Sequence, residues 1–518
     1  MTKIITAKEA AYLIKDEDTV GCSTMGLAGW PEEVAQEIEK RFLETDKPRN
    51  LTIKQGSACG DWGERGITRF GHEGLVKKWA AAHVGSAAQM NELVKQNKIQ
   101  AHCLPQGVVV NLWREIAAGR PGLITKVGLG TFVDPRIEGG KMNEVTTEEL
   151  VELIEIKGEE YLLYKTFPIN VALIRGTTCD ENGNLTMEKE GFINEALALS
   201  QATKNTGGIV IAQVEYIAKA GTLYPKSVQV PGALVDYVVK ASKKEACWQT
   251  EALYYEPSFS GEMKIPLYSI PRLPLGVRKI IARRSSMELK EGMMVNLGVG
   301  MYSASVALIA AEENCSDKII LSAESGQFGG VPASPPNFGH SYNPEAMINH
   351  GAMFDYYDGG GIDATFLGFA QVDKTGNVNA SKFSGRLLGP GGYINISQNA
   401  KKVVFCGTFT AGAEIEVKNG EVIIKNEGKK KKFIDEVEQI TFSGKFSSSK
   451  DQPIYYVTER GVFVLEDEEL VLIEIAPGID LEKNILSQME FKPKISDDLK
   501  VMKKELFVEE WGKLNQYL

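Results

Sequence analysis

The sequence predicts an α/β protein: two related open α/β domains with mainly parallel sheets, facing each other across an active-site cleft. Three observations predict it. Short β-branched runs such as LTIKQ (51–55), GIVIAQVE (208–215), KIILSA (318–323) and KKVVFCGTF (401–409) alternate with stretches of helical pattern, the signature of strands joined by helical crossovers. The chain also repeats itself: VALIRGTTCDENGNLT (171–186) parallels ATFLGFAQVDKTGNVN (364–379), and the Asp-x-x-Gly-Asn turns at Asp180 and Asp373 lie 193 positions apart. Finally, 518 residues exceed one ordinary core, and residues 253–276 carry four prolines without helical period. They read as a linker between domains 1–252 and 277–518.

Taken in order, the chain opens on Thr6-x-x-Glu9, a capping box before a short helix rather than an apolar signal core. EDTVGCSTMG (17–26) then echoes GMMVNLGVGM (292–301), and LTIKQGSACGDWG (51–63) echoes IILSAESGQFGGV (319–331). The offset of these pairs is larger than 193, which predicts an insertion in the first half within 100–165. CLPQGVVVNLWREIAAG (103–119) sets Pro105-Gln106-Gly107 before a helix, and VNLGVGMYSASVALIAAEEN (295–314) reads as strand, glycine-spaced turn and helix. EIEVKNGEVII (414–424) is a hairpin turning at Asn419-Gly420. For Lys429–Lys432 beyond it, a solvated strand end is the better reading and contact with a nucleotide phosphate the lesser.

Composition narrows the function. A formal net charge of −10 argues against a general nucleic-acid binder, and no apolar run approaches the ~18 residues of a membrane span. Seven scattered cysteines without a CxxC pair read as reduced thiols of a cytoplasmic protein. Five histidines show no HExxH or HxH pairing, so no metal site is expected, and no G-x-S-x-G elbow is present.

The candidate chemistry centres on Glu324. SAESGQFGG (322–330) puts a carboxylate where a buried strand should end, the place where open α/β sheets bind ligands. Gly326, Gly329 and Gly330 would let backbone approach a bulky ligand; an acid capping an ordinary strand-to-helix loop fits the same spacing. At the matching strand end, the first half has glutamine and glycine (55–56), so the fold does not demand the acid. Gly298 and Gly300 would admit a phosphate or pantetheine arm to a helix N-terminus, or simply make a tight turn. Gln106 is placed to hydrogen-bond a substrate carboxylate or to cap its helix. The glycine-rich strand ends STMGLAGWPEE (23–33) and KVGLGTFVDPR (126–136) offer Gly26, Gly29, Gly128 and Gly130 as walls of a small acyl pocket, or as ordinary turns.

Together these strings resemble family I coenzyme A transferases, and within them the propionate and acetate CoA-transferases. TKVGLGTFVDPR, VALIRGT, GGIVIAQVE, VNLGVG, AESGQFGGVPA, FDYYDGGGID, FCGTFTAG and EIAPGIDL occur in order along the whole chain. The resemblance implies that Glu324 is the nucleophile that becomes a glutamyl-CoA thioester, that the Gly368 backbone helps form an oxyanion hole, and that Gln106 lies near the substrate end of the pocket. It places Asn296, Gly298 and Gly300 close to the CoA arm. It also implies coenzyme A as substrate and covalent intermediate with no tightly bound cofactor, short-chain carboxylates as partners, and a homotetramer. Pro335-Pro336 after PAS departs from the expected pattern and bears on the preferred acid. An acyl-CoA hydrolase on the same scaffold, a 3-oxoacid CoA-transferase, and a non-catalytic CoA-binding sensor are the competing readings.

Overall fold

The computed structural model describes residues 2–57, 59–266, 272–333 and 335–518; residues 267–271 of the expected linker therefore lie outside the described residues. Val171–Asp180 is buried over its full length, as a strand covered on both faces must be. It lies inside a nine-stranded sheet confined to residues 3–240, whose main path runs Lys3–Ile5, Tyr237–Lys240, Ile209–Ala218, Val171–Asp180, Thr19–Cys22, Leu51–Gln55, Val76–Ala81 and Gln100–Cys103. All seven pairings along that path are parallel.

The second sheet repeats the central order. Ile454–Val457, Val403–Cys406, Ala364–Gly368, Met294–Leu297 and Ile320–Ala323 are parallel neighbours, matching Tyr237–Lys240 through Leu51–Gln55 strand for strand. The repeated Asp-x-x-Gly-Asn turns explain why the likeness survives in sequence. Asp180 accepts the backbone N–H of Asn182 and of Asn184 (3.0 and 2.9 Å) and the Asn184 amide (3.0 Å). Asp373 accepts the N–H of Thr375 and of Asn377 (3.0 and 3.1 Å) and the Asn377 amide (3.0 Å). Each carboxylate thereby satisfies a whole turn from its own side chain.

The halves differ at the edges. In the first, Val76–Ala81 and Gln100–Cys103 extend the parallel sheet, and Gly122–Thr125, Val151–Ile156 and Glu159–Lys165 form a separate antiparallel sheet. The extra material therefore begins at Val76, earlier than the 100–165 expected. In the second half the chain turns back antiparallel after Ile320–Ala323.

The helix Gln106–Ala117 joins the halves. Gly107 lets it come within reach of Phe354 and Asn395, where a Cβ would fall 2.5 Å from either side chain. Val110 from this helix belongs to the hydrophobic core of the second half, and Ile394 of the second half to the core of the first. Asn111 donates to Asp355 at 3.0 Å and Arg114 pairs with the same carboxylate.

Candidate active site

Glu324 occupies the turn that follows Ile320–Ala323. The chain reverses at once: Gly326 N–H returns to Ala323 O at 3.0 Å and Gln327 pairs with Ala323. Gly326 has φ +113 with its open face on the Ile348 carbonyl, where a Cβ would lie 2.0 Å from the oxygen; only glycine fits. The reversal leaves the Glu324 side chain projecting from the mouth of the strand, half-buried.

The first half meets it there. Gln106 opens its helix after Pro105, and its N–H bonds to Gly391 O at 2.9 Å while Gly391 N–H bonds to Ala82 O at 2.8 Å. The Gln106 Nε2 donates to Glu324 Oε1 at 3.3 Å and to His350 Nε2 at 2.8 Å. Its Oε1 accepts from Ser57 Oγ at 2.9 Å. His350 begins the helix His350–Asp358, whose Asn349 side chain caps the Ala352 N–H. Its Nδ1 lies 3.0 Å from Glu195 Oε2, and both side chains are essentially without solvent contact. Gly392 closes the other side of the carboxylate, since a Cβ on it would fall 2.3 Å from Glu324 Oε2. Burial pushes the Glu324 carboxyl above its ordinary range, opposed by the Gln106 hydrogen bond.

Glu324 lines one of two adjoining spaces. A cavity of about 200 Å³ is walled by Met25, Trp62, Phe338, Pro335 and Pro336, with Gly26 on its side. Glu251 also lines it, pushed up to about 7 by burial and by the nearby Asp61. Ser86 Oγ, buried on the same wall, has no protein partner among the described residues. A groove of about 700 Å³ runs outward past Gly298, Gly300 and Gly368 to Arg386, Lys430 and Lys431. His83, Val299, Pro390 and Tyr393 border both spaces.

The structure thus brings Glu324, Gln106, Gly26 and Gly298 together around the cavity, with Gly300 and Gly368 on the adjoining groove. Tyr393 Oη donates to Gly368 O at 2.9 Å, and a Cβ on Gly300 would reach Gly368 Cα at 3.4 Å, so the two glycines let these backbones meet at the groove. The other singled-out residues face elsewhere. Asn296 is buried behind the strand, donating to the Tyr357 hydroxyl at 3.3 Å and accepting from Thr365 at 3.2 Å. Gly329 packs on Glu345 and Gly330 on the Tyr342 carbonyl, so with Gly326 they serve the chain reversal. Gly29 packs on Asn194. Gly128 donates to Gln398 at 2.7 Å, and Gly130 sits against Ser443, both tying a first-half loop to the second half. Lys430 and Lys431, read above as a solvated strand end, stand exposed on the groove wall, while Lys432 is buried with its Nζ 4.0 Å over the Phe369 ring.

Sequence reasoning missed Glu195, His350, Ser57 and Gly392. Glu195 and His350 look like ordinary helix-start residues 155 positions apart, and no spacing rule pairs them.

Residues 4–241 match the family model described as Coenzyme A transferase. The chain is 62% identical over 520 residues to the caffeate CoA-transferase of Acetobacterium woodii, covering 99% of each. It is 43% identical to the acetate CoA-transferase YdiF of Escherichia coli K12, covering 98% of this chain and 95% of that one. The fold superposes with a TM-score of 0.92 on the thioester complex with CoA of the acyl-CoA transferase YdiF of E. coli O157:H7, at 41% identity over 99% of this chain and 97% of that one.

Proposed function

Since this chain belongs to the coenzyme A transferase family and is an enzyme of that type, we propose that it moves CoA between short-chain acyl groups and free carboxylates through a covalent intermediate on Glu324. The observation that carries this reading is the position of that carboxylate: on the wall of a small cavity that shares Gly298, Val299, Pro390 and Tyr393 with a cationic groove, held by one side-chain N–H. The groove suits the CoA arm and the cavity the acyl group. Glu324 attacks the thioester carbonyl; a C–O bond forms, the C–S bond breaks, and a mixed anhydride and CoA thiolate result. The thiolate then attacks the glutamyl carbonyl, expelling the first carboxylate and leaving CoA on Glu324. An incoming carboxylate reverses both steps. A carboxylate needs no general base at neutral pH, but in water its hydration makes it a poor nucleophile. Burial removes that hydration, and fixed N–H groups replace it. The backbones at Gly300 and Gly368 are the proposed donors to the tetrahedral centres, since the Gly298 N–H is held by the Phe366 carbonyl at 2.8 Å. A cytoplasmic homotetramer is part of the same proposal, on the family resemblance.

Mass spectrometry of the intact protein tests it. Acetyl-CoA or propionyl-CoA without acceptor is expected to leave an adduct of CoA size on the native protein. Turnover without any adduct overturns the covalent reading. Steady release of free thiol without an acceptor identifies a hydrolase, and binding without exchange or adduct a sensor.

The aromatic cavity wall favours a second reading of the acyl partner. Met25, Trp62 and Phe338 suit a flat apolar tail, while Glu251 and the unpartnered Ser86 hydroxyl suit a polar group upon it. With a relative named for caffeate at 62% identity, hydroxylated aryl-acrylic acids join acetate, propionate, butyrate and lactate as candidates. Exchange of labelled acetate into a panel of acyl-CoAs decides, and a kcat/KM for the hydroxyaryl thioester below that for propionyl-CoA removes the second reading.

The groove makes its own prediction. Lys430, Lys431 and Arg386 present cations where the diphosphate and nucleotide of CoA would lie. Hydrogen bonds to charged groups contribute about 1.5–3 kcal/mol, less where exposed, so Arg386→Ala with Lys430→Ala is expected to raise the acyl-CoA KM by roughly an order of magnitude. Turnover at saturation should hold, and an acyl-pantetheine, which lacks the nucleotide, should show no change. A matching loss with acyl-pantetheine assigns the cations elsewhere.

A further inference from the structure

We infer that Glu195 and His350 are positioning residues for the transfer reaction, locking the Gln106 amide so that an N–H rather than its carbonyl faces Glu324. This rests on the reading of Glu324 as nucleophile. Gln106 Nε2 is a donor only, so at 2.8 Å the His350 Nε2 must accept. The ring proton then sits on Nδ1, which donates to Glu195 Oε2 at 3.0 Å. The fourth link closes the set: Gln106 Oε1 accepts from Ser57 Oγ at 2.9 Å, leaving the second amide hydrogen for Glu324 at 3.3 Å. Reversing the amide would set a carbonyl oxygen against a carboxylate oxygen and against the unprotonated ring nitrogen. A carboxylate that can only accept thus dictates the tautomer, the tautomer dictates the amide, and the amide dictates what the nucleophile meets.

Two further observations separate this from packing. Glu195 and His350 are 3% and 0% exposed, yet Glu195 Oε1 has no protein partner among the described residues. A buried carboxylate kept only for structure would be expected to satisfy both oxygens. The set is also drawn from both halves, Ser57, Gln106 and Glu195 from one and Glu324 and His350 from the other, so it is complete only at the cleft.

The test is a double-mutant cycle on the full chain, reading the rate of CoA-adduct formation and of carboxylate exchange. Glu195→Gln keeps the shape but offers His350 either a donor or an acceptor, so the tautomer is no longer dictated. It is expected to slow both rates roughly 10- to 100-fold, short of the full loss of an oxyanion donor, with the KM for acyl-CoA unchanged. In a Gln106→Ala background the same substitution should cost nothing more, because the effect travels only through that amide. In ¹⁵N-histidine spectra His350 should show the Nδ1–H tautomer in the native protein and a mixture in Glu195→Gln. Equal slowing in both backgrounds, an unchanged rate, or an Nε2-protonated His350 in the native protein overturns the inference. Turnover without adduct in the native protein overturns the Glu324 reading instead, and the tautomer signal and the exchange cycle still decide this one.

Discussion

Glu324→Gln is expected to abolish the CoA adduct and to lower turnover by roughly four to six orders of magnitude, the scale on which enzymes lose a covalent nucleophile. The fold should remain, because the oxygen and the amide nitrogen of glutamine fill the space of the two carboxylate oxygens beside Gln106 and Gly392. It should even gain stability at neutral pH. Burial raises the Glu324 carboxyl above its ordinary pKa, so in the folded protein its charge is a cost. That cost is absent below the unfolded value, near ~4.3, grows as pH rises toward the folded value, and is fully present above it. The Tm of Glu324→Gln should therefore exceed that of the native protein at neutral pH, and the gap should close on acidification. Native activity should fall on acidification at a higher pH than an ordinary carboxylate would give. Residual turnover within tenfold of native would remove Glu324 from the chemistry. A variant that loses both activity and Tm would assign the residue to structure.

Gly392→Ala is the second large effect. Gly392 has φ −79 and ψ −3, comfortable for alanine, so no backbone penalty is expected. The added methyl would stand 2.3 Å from Glu324 Oε2 and 3.1 Å from Ile396 Cδ1. The carboxylate is the freer of these neighbours and must swing away. Displacing a reacting atom by about an ångström costs roughly 10²-fold in rate. Stopped-flow measurement of adduct formation should show that loss, with thermal melting within a degree or two of native. An unchanged rate would mean that the carboxylate does not react from this rotamer.

The architecture was legible where a residue pattern carries its own structure. The Asp180 and Asp373 turns are local, each closed by one carboxylate, so they mark equivalent strand ends without any contact map. The Asn419-Gly420 hairpin and the Thr6–Glu9 capping box are legible for the same reason, and both are present. Glu324 stood out because the matching strand end lacks an acid. Glycines were harder. The need for a missing side chain can be read at Gly326 or Gly330, but whether a ligand or the chain itself fills the space depends on residues 342–348, which fold back from a distance. The polar set under Glu324 was out of reach, because hydrogen bonds between positions 106, 195 and 350 leave no periodicity in one sequence. Asn296 shows the converse: a residue in a suggestive spacing whose side chain turns inward to Tyr357 and Thr365.

The helix Gln106–Ala117, wedged between both cores, has a consequence for when the protein becomes chemically dangerous to itself. An activated glutamyl anhydride or thioester outside a closed cleft would be open to water and to passing amines. The acid lies on the second half and the amide that faces it on the first, carried by the same helix whose Val110 completes the opposite core. On the proposed mechanism, the carboxylate would therefore meet its partner amide only once the two halves have docked.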